Sequence, residues 1–233
     1  MSIKKTEIII RKHENLVMAK HKLSRNAQKA YSLMLSTIKS TDADFKDHWL
    51  NYYDFATSVG SGNKDARRDL EKICKELNSV TLKIPQEDNS ILFTSLVSSA
   101  MYYPDTGALR FRIDPALAPY LLSLKDRYLK YDIQNILRLK SKYSIKLYEV
   151  LKHYINKKKS KKITLDFTLE EFRKLLDIPK SYKYSDINNR ILKESVEDFK
   201  KTDLSFSYIP IKRGRSVHSI EIEVFENKID LPY

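Results

Sequence analysis

The sequence predicts an α+β chain made of two tandem winged-helix domains, each a helix-turn-helix followed by a β-hairpin wing. Three observations carry this. Helical and strand-like apolar patterns run in the same order twice along the 233 residues. Matching dipeptides, Ala30-Tyr31 with Leu147-Tyr148 and Asp54-Phe55 with Glu171-Phe172, stand 117 positions apart. Each pass ends in alternating segments joined by a turn, the pattern of a hairpin.

Ser24 opens the first pass. Ala27, Ala30, Tyr31, Met34, Leu35 and Ile38 follow at spacings of three and four, which places them on one helix face. A short helix fits Tyr52–Val59 and ends at Gly60, which can take the left-handed conformation of a C-cap. Asn63 can cap a third helix over 64–78, with Ala66, Leu70, Ile73, Cys74 and Leu77 as its apolar stripe. Val80, Leu82 and Ile84 alternate as a strand, and 91–100 reads as one further strand. Pro104-Asp105-Thr106-Gly107 then turns the chain into a last strand bearing Leu109, Phe111 and Ile113.

The second pass repeats this order. A helix covers roughly 141–155, with Ile145, Tyr148, Leu151 and Ile155 along it, and Ile163-Thr164-Leu165 is a short strand. Thr168-Leu169-Glu170-Glu171 matches a capping box and starts a helix through Leu176. A third helix spans about 185–200. Strands carrying Leu204, Phe206, Tyr208 and then Ile220, Ile222, Val224 flank a turn at Lys212-Arg213-Gly214-Arg215. These patterns place an N-terminal domain at 1–118 and a C-terminal domain at 141–233. Between them, 119–140 carries Tyr120, Leu121, Leu124, Tyr128, Tyr131, Ile133 and Ile136, and is expected to pack between the domains.

Composition narrows the function. Lys and Arg number 43 against 30 Asp and Glu, a formal net charge of +13, which points to a polyanionic partner. Residues 1–118 carry a net +4 and residues 119–233 a net +9, so the second domain holds most of the attraction. Apolar residues make up 42%, enough for packed cores. The one cysteine, Cys74, excludes a disulfide framework or a multi-cysteine zinc module, and on its apolar stripe it should be buried and inert. No apolar run reaches membrane-spanning length, and Met1-Ser2-Ile3-Lys4-Lys5 does not begin a secretory signal. A cytoplasmic location is expected, with no membrane-spanning segment, and the charge alone does not distinguish DNA from RNA or an anionic membrane surface.

Helical-wheel arithmetic then selects side chains for DNA. On the third helix of the second domain, Ile187, Ile191, Leu192, Val196 and Phe199 form the core face. Asp186, Asn189, Arg190, Lys193, Glu194 and Glu197 point away, whereas Asn188 falls toward the core. Asn189, Arg190 and Lys193 occupy the part of a recognition helix that reaches base edges. In the first domain the corresponding face bears Lys64, Arg68, Lys72 and Lys75 with Glu71, which suits phosphate contact better than base discrimination. Lys212, Arg213 and Arg215 sit at the wing tip, where Gly214 permits a tight turn. The run from Lys157 to Lys162 is a further candidate for phosphates.

With these residues in place the chain resembles plasmid replication initiators of the Rep_3 type, which serve iteron-containing plasmids. The likeness spans almost the whole chain. It rests on Ser141-Lys142-Tyr143-Ser144-Ile145-Lys146-Leu147-Tyr148-Glu149-Val150-Leu151, on Phe167 to Leu176, and on the helix beginning near Tyr184. In the first half it rests on Asn15-Leu16-Val17, Leu23-Ser24 and Gln28-Lys29-Ala30-Tyr31. The resemblance implies a protein that binds directly repeated sites (iterons) in double-stranded origin DNA and assists strand opening. It implies recruitment of the host chromosomal initiator protein and replicative helicase. It also implies a homodimer, formed through strands within Val80 to Ile113, that represses its own gene. The base-contacting helices would be Tyr184–Lys200 and Lys64–Asn78.

Nothing in the sequence marks an enzyme or calls for a cofactor. The five histidines include no His-x-His pair, and no Gly-x-x-x-x-Gly-Lys-Ser/Thr loop is present. His153 beside Tyr154 reads as a packed pair, and Asp42, Asp44 and Asp47 near His48 read as a polar loop rather than a metal site. Two other readings share the charge pattern: a winged-helix transcriptional regulator without a replication role, and an RNA-binding or chromatin-like protein.

Overall fold

The computed structural model describes residues 8–39, 41–59 and 63–227, with side chains for all of these except Val59 and 63–67. The chain divides into two units, Met1–Leu137 and Arg138–Tyr233.

The first unit begins with β1 (Ile9–His13) and a short helix α1 (Glu14–Met18). Ser24 caps α2 (Arg25–Leu35), its Oγ accepting from the Ala27 N–H. β2 (His48–Asn51), α3 (Tyr52–Val59) and α4 (Asn63–Ser79) follow. Ala27, Ala30, Met34, Phe55, Leu70, Ile73 and Leu77 are buried, so the three larger helices share one apolar core. Cys74, expected inside that core, is only half-buried, and burial raises its thiol pKa. Gly60 and the side chains of Asn63 and Ala66 lie outside the described residues.

The single strand expected over 91–100 is two strands. After β3 (Thr81–Pro85) come β4 (Ile91–Ser95), β5 (Val97–Tyr103) and β6 (Ala108–Ile113). The chain changes partner at Leu96, which is buried between β4 and β5. β4 pairs with β3 in a hairpin of its own, whereas β5 joins a sheet ordered β2-β6-β5. Alternation registers pleated backbone and is blind to a change of sheet.

The segment expected to link the domains belongs mostly to the first unit. It forms α5 (Ala118–Leu121), β7 (Tyr128–Asp132) and α6 (Ile133–Arg138). β7 pairs antiparallel with β1, Ile10 opposite Tyr131, and Ile10, Leu129 and Tyr131 are buried. The Lys29 ammonium donates to the Leu137 carbonyl at 2.7 Å. The boundaries at 118 and 140 therefore give way to one at Leu137, because a strand near the start of the chain finds its partner more than a hundred residues later.

One buried group in this unit predicts a pH response. His48, 8% exposed, meets the Thr37 hydroxyl through Nδ1, while Nε2 has no hydrogen-bond partner among the described residues. Burial lowers its pKa below the ordinary 6.5, against the opposing pull of Asp42 and Asp47. The unfolded chain therefore takes up the proton more readily, so stability present above pH 6.5 is lost as pH falls toward the depressed folded value. His13, also lowered mainly by burial, adds in the same direction. Calorimetry from about pH 7 to 5 should show the first unit's Tm falling, and His48→Gln should flatten that fall. A wild-type profile that stays level would refute this assignment.

The second unit opens on α7 (Lys142–Lys158), whose cap, Ser141, accepts from the Tyr143 N–H. β8 (Lys162–Thr168) leads to α8 (Leu169–Leu176), where Thr168 and Glu171 form the reciprocal capping box. The third helix, α9 (Tyr184–Ile187), continues through a π-turn, Asn188–Leu192, into α10 (Lys193–Phe199). β9 (Leu204–Arg213) and β10 (Ser216–Glu226) complete a sheet ordered β8-β10-β9, the counterpart of β2-β6-β5. α3 and α8 lie 117 residues apart at both ends, and α2 and α7 begin 117 apart. The β3–β4 hairpin is what the first pass adds. Tyr148, Phe172, Phe199, Ile222 and Val224 are fully buried. Buried Lys152 is matched by Asp203 at 3.0 Å and Glu226 at 3.2 Å, as an interior charge must be.

Candidate nucleic-acid interface

The second unit presents its helix-turn-helix on α8 and the α9–α10 helix. Arg173 of α8 ties the turn together, donating from Nη1 to the Pro179 carbonyl at 3.2 Å and from Nη2 to the Tyr182 carbonyl. Asp177 takes the left-handed C-cap, φ 50°, which lets the chain leave α8 sharply. Ile187, Ile191, Leu192 and Phe199 are buried, and Asn189, Arg190 and Lys193 are exposed on the opposite side, as their spacing predicts.

Val196 departs from that prediction. It is half-exposed, and Ser195 is buried instead, its Oγ 3.0 Å from the Ser144 Oγ. The π-turn is the cause. The Lys193 N–H bonds to the Asn188 carbonyl five residues back, so a wheel stepped evenly at 100° loses phase there. Asn188, placed toward the core, is half-buried, and its Oδ1 accepts from the Tyr208 hydroxyl of β9 at 2.8 Å. Its amide nitrogen donates to Asn189 Oδ1 at 3.2 Å. Asn188, Tyr208, Arg173 and Tyr182 thus support the exposed face, and apolar periodicity carries no sign of them.

Lys212, Arg213 and Arg215 are all exposed at the tip of the β9–β10 hairpin. Gly214 has φ +63° at the first central position of the two-residue turn, the sign that a type II′ hairpin requires there. The lysine run is elsewhere. Lys162 pairs with Phe225 near the far end of β10, whereas the wing tip adjoins Ser216 at its start. About nine residues of strand, roughly 30 Å at 3.3 Å each, separate these two basic groups. Lys162 is also paired with Glu223 at 2.5 Å.

In the first unit, Arg68, Lys72 and Lys75 lie on the exposed side of α4, opposite buried Leu70, Ile73 and Leu77. The side chain of Lys64 lies outside the described residues. Lys75 is held by Glu71 at 2.7 Å, which raises the lysine pKa and lowers that of the glutamate. Lys72 borders a recess at the start of α2 that Arg25, Asn26, Asp69 and Glu76 also line, so its charges are mixed. Asn26 and Asp69 bridge α2 to α4 at 2.9 Å, fixing the angle at which α4 is presented.

Asp42, Asp44 and Asp47 each have partners within the first unit. Asp42 accepts from the Lys39 N–H at 2.8 Å, Asp44 from the Phe45 N–H at 2.7 Å, and Asp47 faces Arg110 and Arg112 at 3.6 and 3.7 Å. Among the described residues, no group of three or more His, Cys, Asp or Glu is placed to hold a metal ion, and no helix is long and apolar enough to cross a membrane. His153 and Tyr154 pack edge to face, ring centres 5.5 Å apart.

Comparison with known families bears directly on this arrangement. Residues 9–152 match the family model described as initiator replication protein, WH1, and residues 168–224 match initiator Rep protein, WH2. The chain belongs to the family of replication initiator proteins. A replication initiation protein of Escherichia coli is 24% identical over 234 residues, covering 97% of this chain and 72% of the relative. The PI protein of Escherichia coli is 32% identical over 173 residues, covering 66% of this chain and 55% of its own length. In fold, this initiator is similar to the Pi initiator protein solved in complex with iteron DNA, with TM-score 0.77 and 19% identity over 97% of this chain and 100% of that one. Two winged helices in tandem are thus the family's fold and this initiator's own.

Proposed function

We propose that this initiator binds directly repeated sites in double-stranded plasmid origin DNA and thereby starts replication. The observation that carries this is the second unit's face. Asn189, Arg190 and Lys193 are exposed beside a wing whose tip bears Lys212, Arg213 and Arg215. Such a face combines base-edge donors with phosphate contacts. The DNA in the solved Pi complex belongs to that protein, and we carry the same mode of binding to this chain. Arg68, Lys72 and Lys75 of the first unit add phosphate contact. The work is done by binding energy, without a catalytic step or a cofactor, and strain in neighbouring A·T-rich DNA assists its opening.

The reading extends to a homodimer that represses the initiator's own gene and to contacts with the host chromosomal initiator and helicase. Support for the dimer comes from the strands between Val80 and Ile113, where Ile91, Phe93 and Met101 are exposed, Phe93 by 58%. Trp49, 59% exposed, stacks on Tyr103 of the strand that carries Met101, ring centres 5.4 Å apart. Surfaces of this kind are commonly covered.

Footprinting on plasmid DNA flanking the gene tests the function. Several protected sites in direct repeat, spaced by about two helical turns, are expected. A single protected palindrome would identify a transcriptional regulator instead, and protection without sequence preference an RNA-binding or chromatin-like protein.

A further inference from the structure

The guanidinium of Arg190 is held on two sides. Its Nε lies 3.6 Å from Oδ1 of Asp186, one helical turn earlier, and its central carbon lies 5.5 Å from the centre of the Tyr182 ring. Both holders are themselves anchored. Asp186 Oδ2 accepts from the Lys183 N–H at 2.9 Å. Tyr182 donates its N–H to the Pro179 carbonyl at 3.1 Å and accepts from Arg173 through its own carbonyl. Arg190 nonetheless remains 63% exposed.

This geometry selects among the uses an arginine can have. A guanidinium is planar, so turning Nε toward Asp186 leaves the edge formed by Nη1 and Nη2 facing away. That edge offers two parallel N–H donors. In the major groove only guanine presents two adjacent acceptors, O6 and N7, to such a pair, since adenine, thymine and cytosine each present at most one. The Asp186 carboxylate also repels a phosphate, which argues against the DNA backbone as the partner of this arginine. Holding the side chain beforehand reduces the rotamer entropy lost on docking.

We propose that Asp186 and Tyr182 are positioning residues that aim Arg190 at one guanine of the bound repeat. The inference rests on the DNA-binding reading above and gives it a specific base. The test uses the full chain and duplexes carrying the protected repeat, with each guanine replaced in turn by adenine. For the wild type, one position should cost about 5- to 150-fold in affinity, the range of a bidentate contact. Arg190→Ala should be indifferent to that replacement. Asp186→Asn, which keeps an oxygen for the Lys183 N–H, and Tyr182→Leu, which removes the ring from under the guanidinium, should each shrink the discrimination several-fold. Affinity for scrambled duplex should stay unchanged in Tyr182→Leu and should rise slightly in Asp186→Asn, which removes a charge that repels phosphate.

Two results would overturn the inference while leaving DNA binding intact. In one, no guanine replacement becomes neutral in Arg190→Ala. In the other, Asp186→Asn and Tyr182→Leu retain full discrimination, which would make these contacts only a resting place for the arginine. A wild type that does not prefer the repeat over scrambled DNA would remove the functional reading and the inference with it.

Discussion

Phe199→Ala should strongly destabilise the second unit while leaving the first little changed. Phe199 ends the recognition helix and is fully buried, meeting Tyr148 at 5.9 Å and Phe206 at 4.9 Å between ring centres, both edge to face. It therefore joins three parts of the domain: the first helix, the recognition helix and the strand rising into the wing. Truncating a buried phenylalanine costs about 3–5 kcal/mol, because transfer and cavity costs add. Domains are stable by only about 5–15 kcal/mol, so a large share of the margin disappears. Denaturation of the full chain should show the transition of the second unit shifted sharply and that of the first little changed. Preference for the repeat should weaken in step with that loss. Phe199→Leu, which fills much of the space, should restore most of both properties. Unchanged denaturation of Phe199→Ala would show that the helix is not held through this ring.

The same helix shows where sequence reading succeeded and where it had to fail. Three- and four-residue spacing found the exposed Asn189, Arg190 and Lys193, because a buried face is a strong periodic signal. It misplaced Val196 and missed Ser195, because the π-turn adds a residue without breaking the run of helix-forming residues. The 117-residue repeat survived in α3 and α8 to the residue, since a capping residue and an apolar face are both local features. The strand pair β1–β7 and the division of 91–100 into β4 and β5 are decided by partners distant in sequence. Alternation in one strand does not name the other. At the candidate interface the charged tips were legible because they are exposed and basic. The supporting contacts of Arg173, Tyr182 and Tyr208 are hydrogen bonds and stacking within the neighbouring turn and strand, which leave no period.

The wing should account for much of the salt dependence of binding. Replacing Lys212, Arg213 and Arg215 together by alanine removes three exposed cations from one turn whose backbone is set by Gly214 rather than by the lost side chains. The hairpin stays anchored below the tip, where β10 pairs with both β8 and β9, so folding should be unaffected. Each phosphate contact contributes about 0.9 to the slope of log affinity against log salt. If all three touch the backbone, the variant's slope should be shallower by about 2.7, and its deficit against the wild type should shrink by about 1.6 decades between 50 and 200 mM salt. Because phosphates carry no sequence, specific and scrambled duplexes should lose affinity together, opposite to the behaviour expected of Arg190→Ala. Fluorescence anisotropy across a salt series measures both quantities at once. An unchanged slope would mean that the tip stands clear of the backbone. A loss confined to the repeat would mean that the wing reads bases, as arginines in a minor groove can.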